Sequence, residues 1–165
     1  MQIKMKSHVL KATIATAVLT AATFTGTLPA AAEYATANVH MRAGPSVRYP
    51  SVGTIPAGSF VEVTGCTRGY RWCDVRVGGR RGWMSGAYVG VEHQARRMPM
   101  PAYVRTVERA PVPVVTFNLN SYWESNYLDY DFYKDHSEWD DVDWEHDDPP
   151  GWESEWSECF GHYEC

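Results

Sequence analysis

Turn residues divide residues 37–91 into short segments, and that punctuation constrains the fold more than any other feature of the chain. Ala43-Gly44-Pro45-Ser46 ends the first segment, Pro56-Ala57-Gly58 the second, and Gly78-Gly79 separates two later ones. Glycine reaches positive φ without a Cβ penalty, and proline cannot donate to a sheet ladder, so each cluster reads as a turn. Between them apolar residues alternate with polar ones. Val39 and Met41 interleave with Asn38, His40 and Arg42, and Val61 and Val63 with Glu62 and Thr64. Period-two alternation is the pattern of half-buried strands. About five short strands at spacings of roughly 8–12 residues predict all-β closure into a small barrel.

The residues carrying this pattern resemble the bacterial SH3 (SH3-like) domain. The resemblance lies in His40-Met41-Arg42-Ala43-Gly44-Pro45-Ser46, where His40 and Met41 stand in place of the usual Asn and Val. It continues through Thr54-Ile55-Pro56-Ala57-Gly58, Phe60-Val61-Glu62-Val63, Trp72-Cys73-Asp74-Val75, Gly82-Trp83-Met84 and Ala87-Tyr88-Val89, and covers about a third of the chain. It implies an SH3-like barrel over 36–91 and recognition of cell-wall peptide or glycan. The expected core is Val39, Met41, Val61, Val63, Trp72, Val75 and Trp83.

The first 32 residues have the layout of an export signal. Lys4, Lys6 and Lys11 precede an apolar run from Ala12 to Phe24, and Pro29-Ala30-Ala31-Ala32 offers a cleavage site. The run is too short and threonine-rich to span a bilayer comfortably, so no stable membrane insertion is expected after cleavage. The mature chain is expected in the periplasm or outside the cell, where the four cysteines would pair. Cys66 with Cys73 and Cys159 with Cys165 is the local pairing of the three possible. An eight-residue loop closed in this way contributes about 2.5 kcal/mol. A four-thiolate zinc site fits less well, because the paired C-x-x-C spacing is missing.

The net charge of −5 conceals opposite halves. Glu33 to Pro111 carries eleven arginines against five acids, while Val112 to Cys165 carries one lysine against fifteen acids. Residues 92–113, with prolines at 99, 101, 111 and 113, read as an extended linker with little core, apart from one short strand near Tyr103–Val107. Residues 114–165 read as a largely irregular acidic tail, partly ordered at most. Yet five Trp, five Tyr and three Phe lie beyond Val112, and disordered tails are ordinarily poor in aromatics. The charge split predicts that this tail docks on the barrel, places Trp139, Trp144 and Trp152 over its ligand surface, and loosens with salt.

Two sites are expected on the barrel. Of the barrel aromatics Tyr49, Tyr70, Trp72, Trp83 and Tyr88, the two beside turns, Tyr49 and Tyr70, are the better candidates to stack on a ligand while Arg42, Arg48 and Arg71 grip carboxylates. The wider arginine set, with Arg68, Arg76, Arg80 and Arg81, would favour anions, but export argues against nucleic acid. His136, His146 and His162 lack metal-site spacing, so neither metal nor cofactor is expected. Cys159 and His162 sit too near the end to be backed by a catalytic scaffold, and no G-x-S-x-G elbow is present. The expected function is a non-catalytic envelope-binding module whose partner is a wall peptide or glycan or an envelope protein. The competing expectation is an interaction protein in which the acidic aromatic tail binds a protein and the barrel is a scaffold.

Overall fold

The computed structural model describes residues 33–152. Residues 1–32, where an export signal is expected, and Cys159, His162 and Cys165 lie outside the described residues.

Eight strands follow in order: β1 (Glu33–Ala35), β2 (Val39–Arg42), β3 (Ser51–Ile55), β4 (Glu62–Cys66), β5 (Trp72–Val77), β6 (Arg80–Ser85), β7 (Val89–His93) and β8 (Arg96–Pro99). They form a five-stranded antiparallel sheet ordered β3-β2-β6-β5-β4 and a three-stranded sheet ordered β1-β7-β8. Gly78 and Gly79 make the two-residue turn between β5 and β6, both at positive φ (55° and 77°), as a turn matching strand twist requires. Cys66 and Cys73 are register partners across β4 and β5 and are joined by a disulfide.

The core between the sheets follows from the alternation. Ala35, Met41, Ile55, Val75, Met84, Val89 and Val91 are fully buried, and Val39, Val61, Trp72 and Trp83 nearly so. Val63 is only partly buried. It lies beside an irregularity in the β4–β5 register between Val63 and Gly65.

Two expectations from the sequence need correction. The barrel does not begin at residue 36: β1 pairs with β7 from Glu33 onward, and β8 extends the same sheet beyond Val91. Nor are residues 92–113 an extended linker. They contain β8 and a short helix, α1 (Met100–Val104), and bury Met100, Tyr103 and Val112. Pro99 and Pro101 bracket the start of α1, where a missing N–H costs no helical hydrogen bond, so these prolines shape a helix instead of preventing one. The strand expected near Tyr103–Val107 is accordingly absent.

The tail, read from the sequence as partly ordered at most, carries local structure within its described part. Val115 N–H donates to the Cys66 carbonyl (2.8 Å), and Cys66 N–H to the Pro113 carbonyl (3.0 Å), which lays Val114 alongside β4 as a parallel bridge. A second helix, α2 (Leu119–Asn126), follows, and the Asn118 side chain caps it by accepting from Ser121 N–H at 3.0 Å. Tight 3₁₀ turns then span Asp131–Trp139, interrupted at Asp135. No helix among the described residues is long and apolar enough to cross a membrane.

Candidate ligand-binding surface

Tyr49 and Trp83 have one face on the barrel, and the aromatic tail covers the other. Phe117 stands edge-on to both, with centroids 5.4 Å from Tyr49 and 5.6 Å from Trp83. Trp123 packs on Tyr49 at 6.3 Å, and Tyr122 on Trp83 at 5.8 Å. A second ring layer, Phe132 and Trp139, packs on Trp123 at 4.8 and 5.3 Å. T-shaped and tilted pairs of this kind add to the area they bury. Polar edges of the rings are tied to the barrel: Trp123 Nε1 donates to the Ala43 carbonyl (2.8 Å) and the Tyr127 hydroxyl to the Arg81 carbonyl (2.8 Å).

Beneath this layer sits a buried acid. Asp74 accepts from Arg81 Nη2 (2.6 Å) and Nε (3.0 Å), from the Thr64 hydroxyl (2.7 Å) and from the Tyr122 hydroxyl (2.6 Å). Its hydrogen bonds to Arg81 hold that guanidinium more firmly protonated than usual. Burial raises the Tyr122 and Tyr127 hydroxyls far above the ordinary tyrosine value. Every strong acceptor position of Asp74 is therefore engaged, and the group reads as a structural tie between β5, β6 and α2.

The five predicted ligand residues divide. Tyr49 and Tyr70, only 2% and 8% exposed, are core residues and not groove aromatics. The Tyr70 hydroxyl donates to the Val112 carbonyl at 3.1 Å. Proximity to a turn suggested exposure, but segments distant in sequence close over both. Arg42 is half-buried and donates to the Tyr49 carbonyl (3.0 Å), and burial makes its guanidinium easier to deprotonate than usual. Arg48 receives the Trp139 indole N–H on its carbonyl (3.3 Å). Arg71 alone of the five points its charge at a carboxylate, with Nε 3.3 Å from Asp148 Oδ1.

Around Arg71 a distinct surface takes shape, crossed by residues 145–152. Arg71 Nη1 donates to the Glu145 carbonyl (3.1 Å), Trp72 Nε1 to the Asp147 carbonyl (3.3 Å) and the Ser85 hydroxyl to the Pro150 carbonyl (2.7 Å). The Ser46 hydroxyl donates to the Asp147 carboxylate. Arg71 also lies over the Trp152 ring, 5.7 Å from its centroid. A hollow opens at each end of the crossing. One, of about 500 Å³, is lined by Arg68, Arg71, Val114, Trp144 and His146 among others. The other, of about 210 Å³, is lined by His40, Arg42, Trp72, Tyr88 and Pro150 among others.

Residues 37–90 match the family profile described as the bacterial SH3 domain. That segment is a bacterial SH3 domain. No curated protein matches the chain. The surface just described uses the SH3 domain's own residues: Ser46 from the turn after β2, Arg71 and Trp72 at the start of β5, Ser85 at the end of β6 and Tyr88 before β7. Sequence reasoning missed Ser46 and Ser85, because a lone serine at a strand end carries no pattern. The signal that could have found them is the donor-poor run Asp147-Asp148-Pro149-Pro150, which offers carbonyls and carboxylates but few N–H groups.

Proposed function

We propose that this chain is an exported, non-catalytic binding module of the cell envelope, and that the surface of Ser46, Arg71, Trp72, Ser85 and Tyr88 is its ligand site. One observation carries the reading. Three SH3-domain side chains donate to three main-chain carbonyls of a single tail segment, residues 145–150. Donors aimed at carbonyls recognise a peptide-like backbone whatever its side chains, and a guanidinium beside them adds recognition of carboxylate. Wall peptides present both groups.

The Cys66–Cys73 disulfide and the bacterial SH3 domain are compatible with a location outside the cytoplasm. Three nucleophile or acid candidates of the domain are already engaged, Cys66 and Cys73 in the disulfide and Asp74 with Arg81, Thr64 and Tyr122. This supports binding in preference to catalysis. The test is co-sedimentation of the chain beginning at Glu33 with purified sacculi. Retention that Arg71→Glu lowers supports the reading. Retention no greater than that of a non-binding control protein overturns it.

A further inference from the structure

The described tail is held on the SH3 domain in two different ways, and the change comes at Trp144. Up to that residue rings pack on rings, ending with Trp144 against Phe117 at 6.0 Å. From Glu145 onward the chain is held by donors of the domain reaching its carbonyls and carboxylates. Pro149 is the one residue of 145–152 that is buried, and Asp148 remains 61% exposed on its side chain.

We infer that the saddle formed by Ser46, Arg71, Trp72, Ser85 and Tyr88 is a groove for an acidic, proline-containing peptide, and that residues 145–152 fill it in place of that partner. The inference rests on the binding-module reading above and adds to it the chemistry of the ligand and a built-in competitor. The groove's side of the contact is made of donors: a hydroxyl from Ser46, a guanidinium from Arg71, an indole N–H from Trp72 and a hydroxyl from Ser85. Its occupant supplies acceptors: the Glu145 carbonyl and Asp148 carboxylate to Arg71, the Asp147 carboxylate to Ser46, the Asp147 carbonyl to Trp72 and the Pro150 carbonyl to Ser85. Consecutive prolines have no N–H to leave unpaired and are already extended, so such a segment loses little entropy on docking. Gly151 completes the fit. Its φ is 78°, and a Cβ there would meet the Tyr88 ring at 2.8 Å.

Anchoring at Trp144, one residue before the segment begins, holds the occupant at an effective concentration on the order of millimolar. A partner in trans therefore binds only in proportion to the open fraction.

The experiment uses the full chain from Glu33 and the double substitution Asp147→Lys with Asp148→Lys, which weakens the segment and leaves the groove intact. The probe is a synthetic peptide spanning residues 145–152, titrated by calorimetry. The substituted chain is expected to bind it at least about tenfold more tightly than the unsubstituted chain, since the open fraction rises. Adding Arg71→Glu should abolish that binding, and a peptide with both aspartates replaced by asparagine should bind more weakly. Gly151→Val serves as an independent opening variant should the double substitution fail to fold.

Equal affinity in the opened and unsubstituted chains, or no binding by a folded opened chain, overturns the inference. Equal binding of the asparagine peptide overturns the acidic specificity. Sacculus retention of both chains without peptide binding removes this inference and leaves the envelope reading. Peptide binding without sacculus retention does the reverse.

Discussion

Trp123 donates its indole N–H to the carbonyl of Ala43, 2.8 Å away and eighty positions earlier in the chain, and both residues are fully buried. Ala43 begins the turn that ends β2. The described tail is thus part of the barrel's own packing, and a chain cut at Val91 would uncover Tyr49 and Trp83.

Trp83 provides a contrast within the same ring cluster, because its Nε1 is buried with no partner among the described residues. Trp123→Phe should lower unfolding free energy by about 1–3 kcal/mol through the stranded Ala43 carbonyl, in addition to the lost volume. Trp83→Phe forfeits no hydrogen bond and should cost less. Alanine at either position should cost about 3–5 kcal/mol. Urea melts of the four variants check the order, and a Trp83→Phe chain less stable than Trp123→Phe would contradict it.

Stability should fall on the alkaline side. Burial, then the Asp140 charge, push the Tyr49 hydroxyl up to about 12, with Arg48 partly offsetting them. Burial also raises Tyr70, Tyr122 and Tyr127. Tyrosines of the unfolded chain ionise near pH 10. Above that value the unfolded state holds fewer protons than the folded one, so unfolding free energy declines as pH rises. The Tyr49 contribution is whole below about pH 10 and lost by about pH 12. Phenolate absorbance should show a late fraction of tyrosines ionising together with unfolding. A titration in which every tyrosine ionises near pH 10 while the fold persists would refute this.

Salt should leave most of the tail in place. The sequence suggested that opposite charge holds the halves together, but among the described residues only one ion pair, Arg71 with Asp148, joins barrel to tail. Ring burial and hydrogen bonds from the tail's rings and backbone carry the rest, and salt screens neither appreciably. Amide protection at Trp123 and Tyr127 should be unchanged from low salt to about 0.5 M, while protection at residues 145–152 declines, because exposed charges are screened over about 10 Å or less. Parallel loss across the whole tail would show that charge dominates after all.

The β7–β8 hairpin should be open to improvement. Its two-residue turn is Gln94-Ala95, and both residues sit at positive φ (50° and 60°). A non-glycine residue there costs about 1–2 kcal/mol, and Asn-Gly is the pair that suits such a turn. Gln94→Asn with Ala95→Gly is expected to stabilise the chain by about 1 kcal/mol. A thermal melt that moves downward would count against the assigned turn.

The strand segments from β2 to β7 were legible because their information is local. Alternation marks which side of a strand faces inward, Gly78-Gly79 marks a turn, and Cys66 and Cys73 stand opposite each other once that turn is made. The sequence alone also showed that residues beyond Val112 hold too many rings for an ordinary disordered tail. It did not reveal where those rings go. Alternation assigns a side chain to one face of a sheet and is silent on whether a distant segment covers the other face. Tyr49 therefore read as a groove residue, although Phe117 and Trp123 close over it, and Trp72 was placed with the core, although its N–H edge meets Asp147. Burial is a property of what two remote segments do together. Only the tertiary structure, by bringing residues 112–152 back across the barrel, decided which aromatics became core and set Arg71, Trp72, Ser85 and Tyr88 against residues 145–152.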